Sequence, residues 1–117
     1  MNEHGARLLQ GIRENRGYVM PMHEVLAERH PAFLAAYDAM FRAAIDDSPL
    51  EPKVRELIVM ALDVAIGVSE KAVRGHARKA MAKGASQAEV LGAIELATLV
   101  FAGKPLSAVS RLFTEDD

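Results

Sequence analysis

The stretch PKVRELIVMALDVAIGVSEKAVRGHARKAMAKGAS, residues 52–86, decides the fold class. Pro52 suits a first helical turn, where its missing N–H costs nothing, and the apolar run behind it predicts a helix over Pro52–Ile66 that Gly67 breaks. Ser69 can cap a second helix over residues 70–83, with Gly84 as its natural stop. In Ser86-Gln87-Ala88-Glu89 the Ser86 hydroxyl can accept from the Glu89 N–H while the Glu89 side chain reaches back to Ser86, a capping box that starts a third helix over residues 87–102. Gly103 is expected to end that helix, and Pro105 to start a last one reaching Phe113.

Toward the N-terminus the pattern stays helical. After Pro31, the residues Phe33, Leu34, Tyr37, Met40, Phe41, Ala44 and Ile45 recur at the spacing of one helix face. Residues 23–29 allow two turns with Val25 and Leu26 inward, and Tyr18–Met22, containing Pro21, reads as a link. Glu3–Arg16 forms a first helix with Leu8, Leu9 and Ile12 on one side and Gly17 as its stop. β-Branched alternation is missing, and 117 residues without a linker or convincing repeat make one all-α domain over 1–117, with a core of about 31–113. Glu115-Asp116-Asp117 reads as a frayed tail.

Composition narrows the function. A net charge of −2 leaves no basic excess to grip a phosphate backbone, so nucleic-acid binding is not expected. Cysteine is absent, which excludes disulfides, thiolate-held metals and thiol chemistry. The start, Met1-Asn2-Glu3-His4-Gly5-Ala6-Arg7, lacks the basic-then-apolar pattern of a signal peptide. The apolar stretches 57–68 and 90–102 contain Asp63 and Glu95 and fall short of a bilayer's thickness. A soluble, cytoplasmic protein without membrane contact is therefore expected. The helices over 52–66 and 87–102 are apolar nearly all round, which calls for neighbours on every side; a homo-oligomer is expected.

Several side chains are suited to chemistry. Glu56, flanked by Leu57, Ile58, Val59 and Met60, shares a helix face with Asp63 seven residues on. Such a carboxylate points to solvent, is paired, or titrates abnormally; an arginine partner and a functional role both remain open. Glu95 between Ile94 and Leu96 is the same case, with an interface partner as the simpler reading. His76, among Arg74, Arg78 and Lys79, has the residue type for acid–base work near neutral pH, or is a half-exposed helix histidine without a task. His4, His23 and His30 carry less. His23-Glu24-Val25-Leu26-Ala27 begins like a zinc-protease helix, but Ala27 stands where the second histidine must be, so no metal site is expected. Gly84-Ala85-Ser86 follows a helix rather than a strand, so capping explains Ser86. Of the methionines, Met40 and Met60 read as core, while Met20 and Met22 sit in the link.

From Leu50 to Ala108 the chain resembles the carboxymuconolactone decarboxylase family, which includes the alkylhydroperoxidase-D-like proteins. The resemblance rests on Leu50-Glu51-Pro52-Lys53-Val54-Arg55-Glu56-Leu57-Ile58, Ala61-Leu62, His76, Ala80, Gly84-Ala85-Ser86, Glu89-Val90 and Phe101-Ala102-Gly103-Lys104-Pro105-Leu106-Ser107-Ala108. It implies an all-α bundle built around a helical hairpin, assembling as trimers or as hexamers of two trimers. In the peroxidase branch a Cys-x-x-Cys pair precedes the histidine; counting back from His76 gives Ser69 and Ala72, so thiol peroxidase activity is not implied. The decarboxylase branch also lacks the pair and ends its core with an aromatic-x-Gly-x-Pro segment, here Phe101 to Pro105. Its usual Glu four residues before the histidine is replaced by Ala72, with Glu70 two residues away.

The resemblance thus implies a lyase without cofactor, acting on a small carboxylated or lactone metabolite. His76 and Glu56 would be catalytic and Arg74 or Arg78 would hold the substrate carboxylate. The alternative is a non-catalytic oligomeric module that binds a small molecule or a protein. Substrate, oligomer size and the roles of Asp63, Glu70 and Glu95 are not fixed by the sequence.

Overall fold

The computed structural model describes residues 1–114, and the expected acidic tail at 115–117 lies outside them. Seven helices follow one another: α1 (Glu3–Arg16), α2 (Pro21–Arg29), α3 (Pro31–Asp46), α4 (Pro52–Ile66), α5 (Glu70–Ala82), α6 (Gln87–Leu106) and α7 (Ala108–Phe113). No strand occurs among the described residues.

The boundaries follow from the caps. The Asn2 side chain accepts the Gly5 N–H at 2.8 Å to start α1, and Gly17, at φ 84°, closes it by donating to the Arg13 carbonyl. At the end of α4, Gly67 donates to Val64 and Val68 to Asp63, a Schellman ending with glycine at φ 79°. Gly84 and Ala85 repeat it on Met81 and Ala80 after α5. Ser69 caps α5 through the Ala72 N–H. The Ser86–Glu89 box forms in both directions, at 3.0 and 2.9 Å.

Three boundaries, the starts of α2 and α7 and the end of α6, differ from the sequence reading by more than a residue, and Val25 and Met40, expected inward, are 53% and 63% exposed. Helix α2 begins at Pro21, inside the expected link, because the His23 ring accepts the Met20 N–H at 3.0 Å and does the work of a capping side chain. Helix α6 runs through Gly103 and Pro105 to Leu106 rather than stopping at residue 102. Gly103 does not adopt a left-handed conformation. Pro105 near the helix end removes only the bond to the Phe101 carbonyl, which on a helix with no buried residue can be solvated.

The helices form two groups. Helices α1, α2 and α3 pack on one another around Leu9, Ile12, Val19, Ala27 and Leu34. Gly5 lies so close to α2 that a Cβ there would collide with the Ala27 carbonyl oxygen. Helices α4 and α5, joined by only residues 67–69, make the hairpin, and α6 lies along α4. On α5 the buried positions are Ala72, His76 and Ala80, two small residues that let α4 approach on either side of the histidine. The chain is therefore an all-α bundle built around a helical hairpin.

The whole is long and thin, 63 × 36 × 23 Å. Its radius of gyration is 18.1 Å, against about 13 Å for a compact chain of this length. Helix α6 buries no residue, and Leu99, Val100 and Phe113 are 70–80% exposed. By length and composition alone, residues Gln87–Phe113 suffice to cross a bilayer, a consequence of the longer α6.

Candidate active site

Glu56 and Asp63 lie one above the other on the face of α4 that meets α5, and His76 projects between them. The His76 Nδ1 lies 2.7 Å from Glu56 Oε2. A carboxylate only accepts, so Nδ1 carries the proton and Nε2 faces outward from the pair. Burial pushes the Glu56 carboxyl up. The hydrogen bond and charge of His76, with Lys79 and Lys83 nearby, outweigh this and hold it below its ordinary value. Lys83 Nζ stands 3.7 Å from the other carboxylate oxygen. His76 and Glu56 are 2% and 1% exposed, so this acid–imidazole pair is sealed from bulk water.

The N-terminal helices close the other side. The Tyr18 hydroxyl is 3.4 Å from His76 Nε2, and its ring meets the imidazole edge-on with centroids 6.3 Å apart. Asp63 Oδ2 lies 3.8 Å from the same nitrogen; burial raises its carboxyl, with His76 opposing. Phe41 of α3 stands beside the imidazole, its centroid 6.1 Å away. Burial pushes the Tyr18 phenol up to about 12, so it keeps its proton at neutral pH.

Arg74 and Arg78 are on the outer side of α5 and do not reach His76. Together with Lys71, Gly75, Lys79 and Tyr18 they line a groove of about 680 Å³ between α5 and the end of α1. Arg74 is held by Glu70 at 3.1 Å, an exposed i,i+4 pair that costs little to break. Lys71 and Lys79 donate to the carbonyls of Val19 and Asn15. Glu70 therefore belongs to the groove, not to the His76 pair. Glu95 is exposed in a separate, apolar groove between α4 and α6. Among the described residues, no cluster of three His, Asp or Glu side chains is placed to hold a metal ion.

The chain matches the model of the carboxymuconolactone decarboxylase family over residues 31–115. It belongs to that family. No curated protein and no solved structure matches it. In this member of the carboxymuconolactone decarboxylase family, the position of the second peroxidase-branch cysteine is Ala72, packed and 3% exposed. The position of the first is Ser69, whose hydroxyl is engaged in capping α5.

Helices α1 and α2 lie outside the matched span, yet α1 ends next to Tyr18, which reaches His76. Neither Tyr18, in the expected link, nor Phe41, on the apolar face of α3, sits in a motif that marks it as a site residue. One signal was present: Gly75, an interior helix glycine beside His76. Such a glycine costs about 1 kcal/mol relative to alanine and so implies a close neighbour. The neighbour is the Tyr18 ring, 2.6 Å from where a Cβ would stand.

A second polar network lies within α1–α3. Buried Arg16 donates to Asp38 at 2.8 Å, and Arg42 donates to the other Asp38 oxygen at 2.9 Å. The Arg16 guanidinium lies over Phe41, 3.6 Å from the ring centre, and 3.0 Å from His23 Nε2. Because His23 Nδ1 accepts the Met20 N–H, the neutral ring carries its proton on Nε2, which faces the Arg16 guanidinium without accepting from it. Burial and the Arg16 charge hold His23 below its ordinary value of 6.5.

Proposed function

We propose that the protein is an acid–base enzyme of the decarboxylase-like kind, acting on a small carboxylated or lactone metabolite without a cofactor. Loss of carbon dioxide leaves an electron pair on carbon that must be stabilised and then protonated. Arg74 and Arg78 hold a substrate carboxylate in the groove; a guanidinium fork suits that group. His76 is the proton source and Glu56 fixes its tautomer and orientation. The observation that carries this reading is the 2.7 Å Glu56–His76 bond, buried beside a groove lined by basic residues.

The test is consumption of carboxymuconolactone and related lactones by the purified protein, followed by ultraviolet absorbance. His76→Gln is expected to lower kcat by about 10²–10⁴-fold, and Arg74→Ala or Arg78→Ala to raise KM. A wild type that leaves all these lactones untouched overturns the reading. It would favour the scaffold alternative, a non-catalytic binding module, which the near-complete burial of His76 supports.

The same reading includes a homo-oligomer, a trimer or a hexamer of two trimers. An α6 with nothing buried, exposed Ile58, Leu62 and Ile66 on α4, and the excess radius of gyration all support a second copy as the cover. Lipid is the poorer cover, since Glu95 would lie at membrane depth, where a charge is costly. Sedimentation velocity at micromolar concentration is expected to give three or six times the mass of one chain, and Leu62→Glu/Leu99→Glu to shift it toward one. A monomeric wild type, or one that floats with lipid vesicles, overturns the expectation.

A further inference from the structure

We propose that Tyr18 is a catalytic residue, the proton carrier between the Arg74–Arg78 groove and His76. The inference rests on the functional reading above and adds a member that lies outside the family-matched residues.

A gap separates the groove from His76. His76 is 2% exposed and does not line the groove, so a substrate held by Arg74 and Arg78 does not touch its imidazole. Among the described residues, Asp63 from α4, Phe41 from α3 and Tyr18 from the segment joining α1 and α2 face the imidazole besides Glu56. Asp63 and Phe41 do not line the groove, and Tyr18 does. Its hydroxyl is also directed at the one imidazole nitrogen that Glu56 leaves open. The 3.4 Å separation is long for a hydrogen bond, as catalytic contacts in unliganded sites commonly are before substrate tightens them.

The placement is built, not incidental. The Tyr18 ring rests on α5 at Gly75, where any side chain would overlap its Cε1 and Cδ1 atoms, at 2.6 and 2.8 Å. The backbone beside it is tied to α5 as well, through Lys71 to the Val19 carbonyl and Lys79 to the Asn15 carbonyl. Gly17, in the left-handed region, turns the chain so that residue 18 leaves α1 toward α5.

The step balances. Carbon dioxide departs and its bonding pair stays on the substrate carbon. That pair takes the phenolic proton, forming C–H as the O–H bond breaks. The phenol oxygen takes the Nε2 proton of the His76 imidazolium. The imidazole is left neutral, its Nδ1–H still donated to Glu56, and one proton returns from solvent through the Tyr18 hydroxyl before the next turnover. A phenol that stays protonated at neutral pH suits a carrier better than a base.

The test compares wild type with Tyr18→Phe, which keeps the ring, Gly75→Ala, which displaces it, and Tyr37→Phe as a control. On carboxymuconolactone, Tyr18→Phe is expected to lose about 10²-fold in kcat with KM within twofold, Gly75→Ala to lose in the same direction, and Tyr37→Phe to match wild type. The dependence of kcat on deuterium content should be curved in wild type, where two protons move, and linear in Tyr18→Phe. Independently of turnover, the His76 Nε2 nitrogen-15 resonance should move in Tyr18→Phe and not in Tyr37→Phe. Turnover that survives Tyr18→Phe overturns the role of Tyr18 and leaves the functional reading standing. An unmoved Nε2 resonance overturns the proposal whatever the turnover. A wild type without turnover removes the functional reading and the proton transfer with it.

Discussion

Glu56→Leu is expected to lower the unfolding free energy by about 3–5 kcal/mol, a fall of roughly 10–20 °C in Tm for a chain of this size. Leucine fills the space, so the loss is not a cavity. It is the desolvated His76 Nδ1–H left without an acceptor, in a position 2% exposed where water cannot replace the carboxylate. Lys83 also loses the anion 3.7 Å from its ammonium group, but it is partly exposed and reaches solvent. The partner experiment is Glu56→Leu/His76→Leu. With both polar groups gone, the hairpin interior becomes apolar between Ala72 and Ala80, and most of the lost stability should return, since a buried pair is often replaceable by apolar residues of similar volume. Urea unfolding at fixed protein concentration measures all four forms. A double variant whose loss equals the sum of the two single losses would falsify the coupling.

Arg16→Met is expected to cost a similar amount, about 3–5 kcal/mol, through α1–α3 rather than the hairpin. Arg16 is 3% exposed; the Asp38 carboxylate accepts from it, the Phe41 face packs on it, and its charge lies beside His23. Methionine keeps much of the stem's packing but returns neither charge nor fork. Arg42 still holds one Asp38 oxygen, which sets the loss below that of an unpartnered buried carboxylate. The same variant has a signature in pH. His23 in the folded chain binds its proton more weakly than the free side chain, whose value is 6.5. Between the depressed folded value and 6.5 the unfolded chain therefore carries more protons, and stability rises with pH through that window and levels off above it. Glu56, held below its ordinary carboxylate value of 4.5, adds a further loss as pH falls through its folded value. Asp63, raised by burial, works in the opposite sense at acid pH. Wild-type stability should thus decline below pH 6.5. The decline near 6 should be shallower in Arg16→Met, where burial alone still opposes the charged ring. An equal slope in both proteins would sink this account of His23.

Most of the architecture could be read from the chain because its punctuation is local. Ser69 and Ser86 act within three residues of themselves, and Gly17, Gly67 and Gly84 close helices by bonds inside one turn. The start of α2 was hidden because its cap is a histidine, a side chain not ordinarily read as one. The end of α6 was misjudged because Gly103 and Pro105 look like a stop, while an exposed helix tolerates both. At the site, Glu56 and His76 could be singled out from residue type and family resemblance, and the hairpin places them in contact. Arg74 and Arg78 fall together in one groove that His76 does not line, a separation that helical periodicity alone does not assign to a particular neighbour. Tyr18 lies 58 positions from His76 along the chain, so only the folded molecule sets it there.

Phe41 has a consequence for traffic through the interior. Arg16 lies on this ring and His76 stands beside it, yet a benzene ring offers no site at which a proton can rest. The charged cluster of the first three helices and the imidazole of the hairpin therefore touch one insulating plate. The proton path proposed for His76 therefore lies on the Glu56, Asp63 and Tyr18 side, and Arg16 acts on it through its field alone, favouring the ionised form of the Tyr18 phenol without exchanging a proton itself.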